Sequence, residues 1–301
     1  MKSRPSSKSL ARTALSLLFT ASLLAGCSSP PLASYSKEYV QNAIHNAAAQ
    51  EYRIDCRARF AGDTLWIYLP VEDIFIPAKG KPQKNLELFT VDYCKANYAA
   101  KGLDDTITLE YLVKPVHEKQ ISNPPYQYNK EVSERISKLS KVALRVLHDT
   151  GYSQQEKVRF LCMVVADIKN GFEIKEIMYY PDLKKLSYGI MDSYEYTHRT
   201  IQDYNVAPQQ IIGDRKGMHL DWKEITMREF ILKQIEQRVR LKFRKPEVKQ
   251  DKDIDKEIVA TAIYTIRNYN FRNFDRMEFD NLLSNTKIVL TRKQVWSKQL
   301  R

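Results

Sequence analysis

Residues 53–71, RIDCRARFAGDTLWIYLPV, constrain the fold of this chain more than any other stretch. Ile54, Cys56, Ala58 and Phe60 alternate with Arg53, Asp55, Arg57 and Arg59. After Gly62-Asp63, Leu65, Ile67, Leu69 and Val71 alternate with Trp66, Tyr68 and Pro70. Period-2 alternation on both sides of a two-residue turn predicts a β-hairpin. Closing the hairpin there sets Phe60 opposite Leu65, Ala58 opposite Ile67 and Cys56 opposite Leu69 on one face. The other face then pairs Arg59 with Trp66 and Arg57 with Tyr68. Arginine over an exposed aromatic ring is worth about 0.5–1 kcal/mol. Arg57, Arg59, Trp66 and Tyr68 therefore form a candidate glycan or partner surface. The plainer reading is a solvated sheet face whose cation–π pairs satisfy one another, and it is preferred.

The flanking patterns place helices against such hairpins. Ser36 is a suitable cap for a helix whose apolar positions are Tyr39, Val40, Ala43, Ile44, Ala47 and Ala48. Residues 73–85, with Pro77, Gly80 and Pro82, predict a surface loop. Residues 86–100 are open between strand and helix, and 107–113 alternate as a strand. Residues 114–128, with Pro115, Pro124 and Pro125, read as a connection between two units. Lys130–His148 predict an amphipathic helix with Val132, Ile136, Leu139, Val142, Ala143, Val146 and Leu147 on one stripe. The next segment carries a conflict. Ser153 and Glu156 have capping-box spacing, and Val158, Leu161, Cys162, Val165 and Ile168 suit a helix ending at Asn170-Gly171. Yet VRFLCMVVADI is rich in β-branched residues, and KNG followed by FEIKEIMYY reads as strand–turn–strand. The strand reading is taken because it repeats the helix–hairpin order seen earlier.

Pro181 starts a helical turn closed by Gly189, and a further helix is expected near 192–204. ITMREFILKQIEQ is helical. Its continuation alternates, with Val239, Leu241 and Phe243 inward and Arg238, Arg240, Lys242 and Arg244 outward, and predicts a strand. A strand edged with cations marks an anionic-lipid or acidic-partner site, or it keeps an edge from pairing with neighbours; the second reading is preferred. KQDKDIDKE reads as a solvated linker, IVATAIYTIRNYNF as a helix and KIVLTRKQV as a closing strand. The class is α+β, with helices packed on antiparallel hairpins in two α-β-β-like units, 36–126 and 127–301.

The amino-terminal region has a different logic. Lys2, Arg4, Lys8 and Arg12 precede an apolar run from Ala14 to Ala25, interrupted only by Ser16, Thr20 and Ser22. About 12 helical residues span roughly 18 Å, short of the roughly 30 Å hydrocarbon core. That pattern describes an export signal. Leu24-Ala25-Gly26-Cys27 resembles the lipobox of bacterial lipoprotein precursors. The resemblance implies cleavage between Gly26 and Cys27, with a diacylglycerol on the Cys27 sulfur. Residues 1–26 are then the signal peptide and 27–35 a tether, held extended by Pro30 and Pro31. Ser28 rather than aspartate favours the periplasmic face of the outer membrane where the cell has two membranes.

Composition bounds the partners. The net charge of +12 falls to +8 once the four basic residues of the signal are removed. Excess cations on an exported protein suit anionic headgroups, an acidic glycan or an acidic envelope protein, whereas the compartment argues against nucleic acid. Outside the anchor, Cys56, Cys94 and Cys162 form an odd set with no CxxC spacing, which excludes a disulfide framework and the usual zinc patterns. If one internal pair forms, Cys56–Cys94 is the natural candidate. No metal or cofactor motif is present. His45, His117, His148, His198 and His219 stand far apart in the chain. HLDW, 219–222, offers an imidazole and a carboxylate, although a lone HxD is usually loop polarity. Tyr179, Tyr180, Tyr188, Tyr194 and Tyr196 make a tyrosine-dense stretch suited to stacking or to core packing. The expected role is a non-enzymatic structural, assembly or interaction function on an extracytoplasmic membrane face. The alternative is an envelope enzyme acting on glycan or peptide through scattered residues. A buried, charge-paired His219–Asp221 in a cavity would favour that enzyme.

Overall fold

A computed structural model describes residues 35–78, 84–101, 104–122, 126–152, 158–244, 248–249 and 253–297. The predicted hairpin forms with β1 (Arg57–Ala61) and β2 (Thr64–Val71) in the expected register, Phe60 opposite Leu65 and Arg59 opposite Trp66. Helix α1 (Lys37–Tyr52) precedes it, capped by the Ser36 side chain, which accepts from Tyr39 N at 3.0 Å. β3 (Phe75–Pro77) follows, then a long hairpin of β4 (Lys84–Lys101) and β5 (Asp104–Ser122), then β6 (Tyr126–Tyr128). Helix α2 (Lys130–Asp149) buries the predicted stripe apart from Ile136. β7 (Phe160–Asp167) and β8 (Phe172–Tyr179) resolve the conflict over 158–168 in favour of strand. The capping-box residues Ser153 and Glu156 lie outside the described residues.

β2 runs parallel to β7 at the centre of a five-stranded sheet in the order β1-β2-β7-β8-β9, where β9 is Ile201–Val206. Every residue of β7 is buried. A strand covered on both faces needs no polar alternation, which is why its periodicity could not separate strand from helix. Leu65, Ile67, Leu161, Met163 and Val165 lie on the face that α1 and α2 share. Trp66, Tyr68, Cys162, Val164 and Ala166 join a second core on the opposite face. That core is built on α6 (Met227–Arg244) and α7 (Ile254–Asn268). On α6, Phe230 meets Phe160 of the first sheet with ring centroids 5.1 Å apart. Thirteen residues on, Phe243 meets Phe89 of β4 at 5.3 Å. The helix is thus held between the first sheet and a second one of order β11-β10-β5-β4, where β10 is Arg276–Asn281 and β11 is Thr286–Thr291. Short helices α3 (Tyr180–Ser187), α4 (Ser193–Arg199) and α5 (Pro208–Ile211) flank β8 and β9, and α8 (Arg292–Ser297) ends the described chain.

Beside β3, which forms inside the expected 73–85 loop, and β9, which takes 201–204 from the helix expected near 192–204, three expectations need correction. The α+β class holds, but residues 36–126 and 127–301 are not separate units. β2 pairs with β7 and β5 pairs with β10, so both large sheets draw strands from each side of that boundary, and 36–301 form one unit. The α-β-β order does recur, yet β1 and β7 run in opposite directions, so the two sets do not stack as repeats. Second, 238–244 are the last turns of α6, not a strand. Val239 and Phe243 are buried as i and i+4 on one helical face, a spacing that also satisfies alternation over so short a stretch. Third, 114–128 are mostly sheet: β5 runs on to Ser122 and β6 pairs with β3. The five residues 79–83 of the expected loop, and Pro124 and Pro125, lie outside the described residues. Among the described residues no helix is long and apolar enough to cross a membrane.

Candidate functional site

The hairpin face, a candidate binding surface expected rather to be solvated, is largely covered. Arg57 and Arg59 are exposed, but Trp66 and Tyr68 are buried. A segment between α5 and α6, residues 213–225, crosses β2 and is bonded to Thr64, Trp66 and Tyr68 of that face. Tyr68 Oη donates to the Asp214 carbonyl, Trp66 Nε1 donates to the Lys223 carbonyl at 2.8 Å, and Thr64 Oγ1 accepts from Ile225 N at 2.9 Å. Trp222 meets Trp66 edge-on, and the Arg59 guanidinium lies 5.9 Å from the Trp222 ring. Gly217 permits the close crossing: a Cβ there would stand 3.1 Å from Tyr68, at a φ of +66°.

His219 closes this strap. Its Nδ1 lies 2.6 Å from Asp214 Oδ2 and its Nε2 lies 2.8 Å from Glu173 Oε2 on β8. Carboxylates only accept, so both ring nitrogens carry protons and the ring is an imidazolium. Burial alone would lower the imidazole pKa. The hydrogen bonds that the ring donates to Glu173 and Asp214 outweigh it and hold the pKa above the ordinary histidine value. For Asp214, burial pushes upward, but the His219 ring and backbone and the Lys216 N–H hold its carboxyl below the usual range. The His219 side chain is 7% exposed. Asp221, the partner expected from HLDW, is exposed and takes no part. Charge-paired on both nitrogens, this histidine clasps the strap onto the sheet and has no free lone pair to act as a base.

The four cations of the expected basic strand are dispersed around α6. Arg238 is 9% exposed and donates to Glu195 of α4 at 3.1 Å, within a lattice in which Arg199 joins Glu195 to the buried Asp182 of α3. Arg240 donates to the Cys94 carbonyl at 2.9 Å, and Lys242 pairs with Glu257 of α7 at 3.4 Å. Arg244 is exposed beside Phe89 and Asp92. They form no common cationic face, and no strand edge exists for them to guard. Cys56, just before β1, and Cys94, on β4, are free thiols, both pushed up to about 12 chiefly by burial, and Cys162 is a third buried thiol. Of the tyrosine-dense stretch, Tyr179 and Tyr180 pack inward, whereas Tyr188 and Tyr194 are exposed. Among the described residues, no group of three or more His, Cys, Asp or Glu is arranged to hold a metal. Gly26 and Cys27 lie outside the described residues.

A different face is open. In the β3–β6 ribbon, Phe75 stands opposite Tyr128 and Pro77 opposite Tyr126, which puts all four on one side. Phe75 meets Tyr128 edge-on at 5.6 Å and Phe172 of β8 at 5.5 Å, and Phe172 stacks on Tyr204 of β9 at 6.2 Å. The rings run in a row from the ribbon to the edge of the five-stranded sheet. Phe75 remains 40% exposed, Tyr126 59% and Tyr204 60%. A groove of about 600 Å³ lies here, lined by Phe75, Pro77, Tyr126 and Phe172 with Asp73, Asp167 and Asn170 at its polar side. Asp73 has φ +57°, and its carboxylate, which accepts from Lys169 Nζ at 2.8 Å, is held below the usual range by that bond and by Asn170. Asp167 is buried and caps the β7–β8 turn, accepting from Ile74 N at 2.8 Å and Asn170 N at 2.9 Å. Nothing in the hairpin reasoning pointed here. The only signal is the spacing of aromatics two apart in Tyr126-Gln127-Tyr128 and of Phe75 with Pro77.

No protein-family model, curated protein or solved structure matches the chain, so its functional reading rests on its own residues.

Proposed function

We propose that this chain is a lipid-anchored extracytoplasmic lipoprotein of the cell envelope whose body acts by contact with an envelope partner. The observation that carries the proposal is Leu24-Ala25-Gly26-Cys27, placed directly after a basic segment and a short apolar run. Acylation at Cys27 would supply two or three chains, enough for stable attachment. The role of the body is supported by the contrast between its two notable sites. His219, the histidine best placed for acid–base chemistry, has both nitrogens engaged by carboxylates. The aromatic row of the ribbon is exposed, contiguous and rimmed by polar groups, as contact surfaces are. The periplasmic face of the outer membrane is the expected address in a cell with two membranes.

The test is metabolic labelling with radioactive palmitate, followed by detergent phase partitioning, of the wild-type chain and of Cys27→Ala. The proposal predicts label and detergent-phase recovery for the first and neither for the second. Equal labelling of Cys27→Ala would defeat it.

A further inference from the structure

The aromatic groove has a lining that narrows its ligand. Its apolar walls are the planar rings of Phe75, Tyr126 and Phe172 and the ring of Pro77, with no Leu, Ile, Val or Met lining it among the described residues. Aromatic-lined grooves seat proline-rich peptides as well as sugars, but such a peptide presents carbonyl acceptors and few N–H donors, whereas the polar side here is led by a carboxylate acceptor that sugar hydroxyls can serve. The polar side supplies what a hydroxyl-rich ligand requires. The Asp73 carboxylate and the Asn170 Oδ1 can accept hydrogen bonds from hydroxyls, while the Asn170 Nδ2 is given to Asp73 and Asp167. These groups are held in place before any ligand arrives. Lys169 bonds both Asp73 oxygens at 2.8 and 3.0 Å, and Asn129 Nδ2 donates to the Asp73 carbonyl at 3.0 Å. With Asp73 and Asp167 against Lys169, the rim is not cationic, so an acidic sugar has no counter-charge here.

We infer that this groove binds a neutral saccharide chain, its pyranose faces stacking on Phe75 and Tyr126 and its hydroxyls bonding Asp73 and Asn170. The inference deepens the contact role proposed above by naming the chemistry of the partner. Within the groove the Phe75 and Phe172 rings stand 5.5 Å apart, tilted by 48°.

The experiment is isothermal titration of the purified full-length chain in detergent with cellotetraose and with chitotetraose, both neutral and β-linked. Saturable binding of at least one is expected, weakened about tenfold in Tyr126→Ala and in Phe75→Ala and retained in Tyr126→Phe, which keeps the ring. Tyr126 is the decisive position because it is exposed, so its truncation leaves the packing intact, as a thermal melt of the variant checks. Absence of saturable binding with both sugars would overturn the inference, as would undiminished affinity in Tyr126→Ala. A photocrosslinking side chain at position 126 that captures a polypeptide, with no sugar bound in the titration, would assign the groove to a protein partner instead. Because the titration is indifferent to acylation, its failure and the failure of palmitate labelling are separable results.

Discussion

His219 sets the most sharply testable behaviour of a single residue. Its folded pKa is raised, so its contribution to stability is fully present below about 6.5, the ordinary histidine value, and is lost as pH rises through the folded value. Asp214 has a lowered folded pKa, so its contribution is present above about 3.9 and lost as pH falls. The strap should therefore be most firmly held from about pH 4 to about pH 6.5. His219→Gln, which cannot bridge two carboxylates with charge, should lower stability by about 1.5–3 kcal/mol at pH 5.5, by loss of a hydrogen bond between charged groups. The deficit should shrink at pH 8.5, and urea melts at the two values check it; an equal deficit at both would contradict the clasp. The sequence made His219 a candidate but named the wrong partner. Asp221 is two residues away and easily noticed, whereas Glu173 is brought in by β8, two strands from β2 on the same face of the sheet, and no local pattern encodes that meeting. Trp66 and Tyr68 fail for the same reason: the hairpin register was legible from alternation, but the strap that buries its second face comes from residues 213–225.

At the scale of elements, patterns with one buried face were readable and patterns with two were not. α1 and α2 each bury one face and leave the other wet, so their stripes could be read directly. The end of α6 misled because Arg238, Arg240, Lys242 and Arg244 alternate with apolar residues, while helical context gives Arg238, Arg240 and Lys242 separate partners. A proline substitution separates the two geometries. Arg240 is exposed, and an exposed edge strand tolerates proline, whereas a helix interior loses a hydrogen bond and clashes with the preceding turn. Arg240→Pro should cost about 3 kcal/mol relative to Arg240→Ala, which already removes the bond to the Cys94 carbonyl. A difference under about half a kcal/mol in chemical denaturation would show that these residues are not helical.

At the scale of the whole molecule, long-range parallel pairing governs the result. β2 with β7 and β5 with β10 join segments distant in the chain, and the crossover between β2 and β7 carries the β4–β5 hairpin out to a second sheet. Pairings of that separation leave no periodic trace, which is why α+β could be read while the partition at 126 could not. The same arrangement builds the groove, since the ribbon flanking the inserted hairpin brings Phe75 and Tyr126 beside Phe172 of the first sheet. A contact face of this kind serves an envelope partner only if the body is tethered where the account puts it. Intact-mass spectrometry of the chain purified from membranes tests that most directly. The account predicts a polypeptide beginning at Cys27 and carrying a diacylglycerol on its sulfur. A chain with an unmodified Cys27 that retains residues 1–26, or one cut elsewhere, would contradict it.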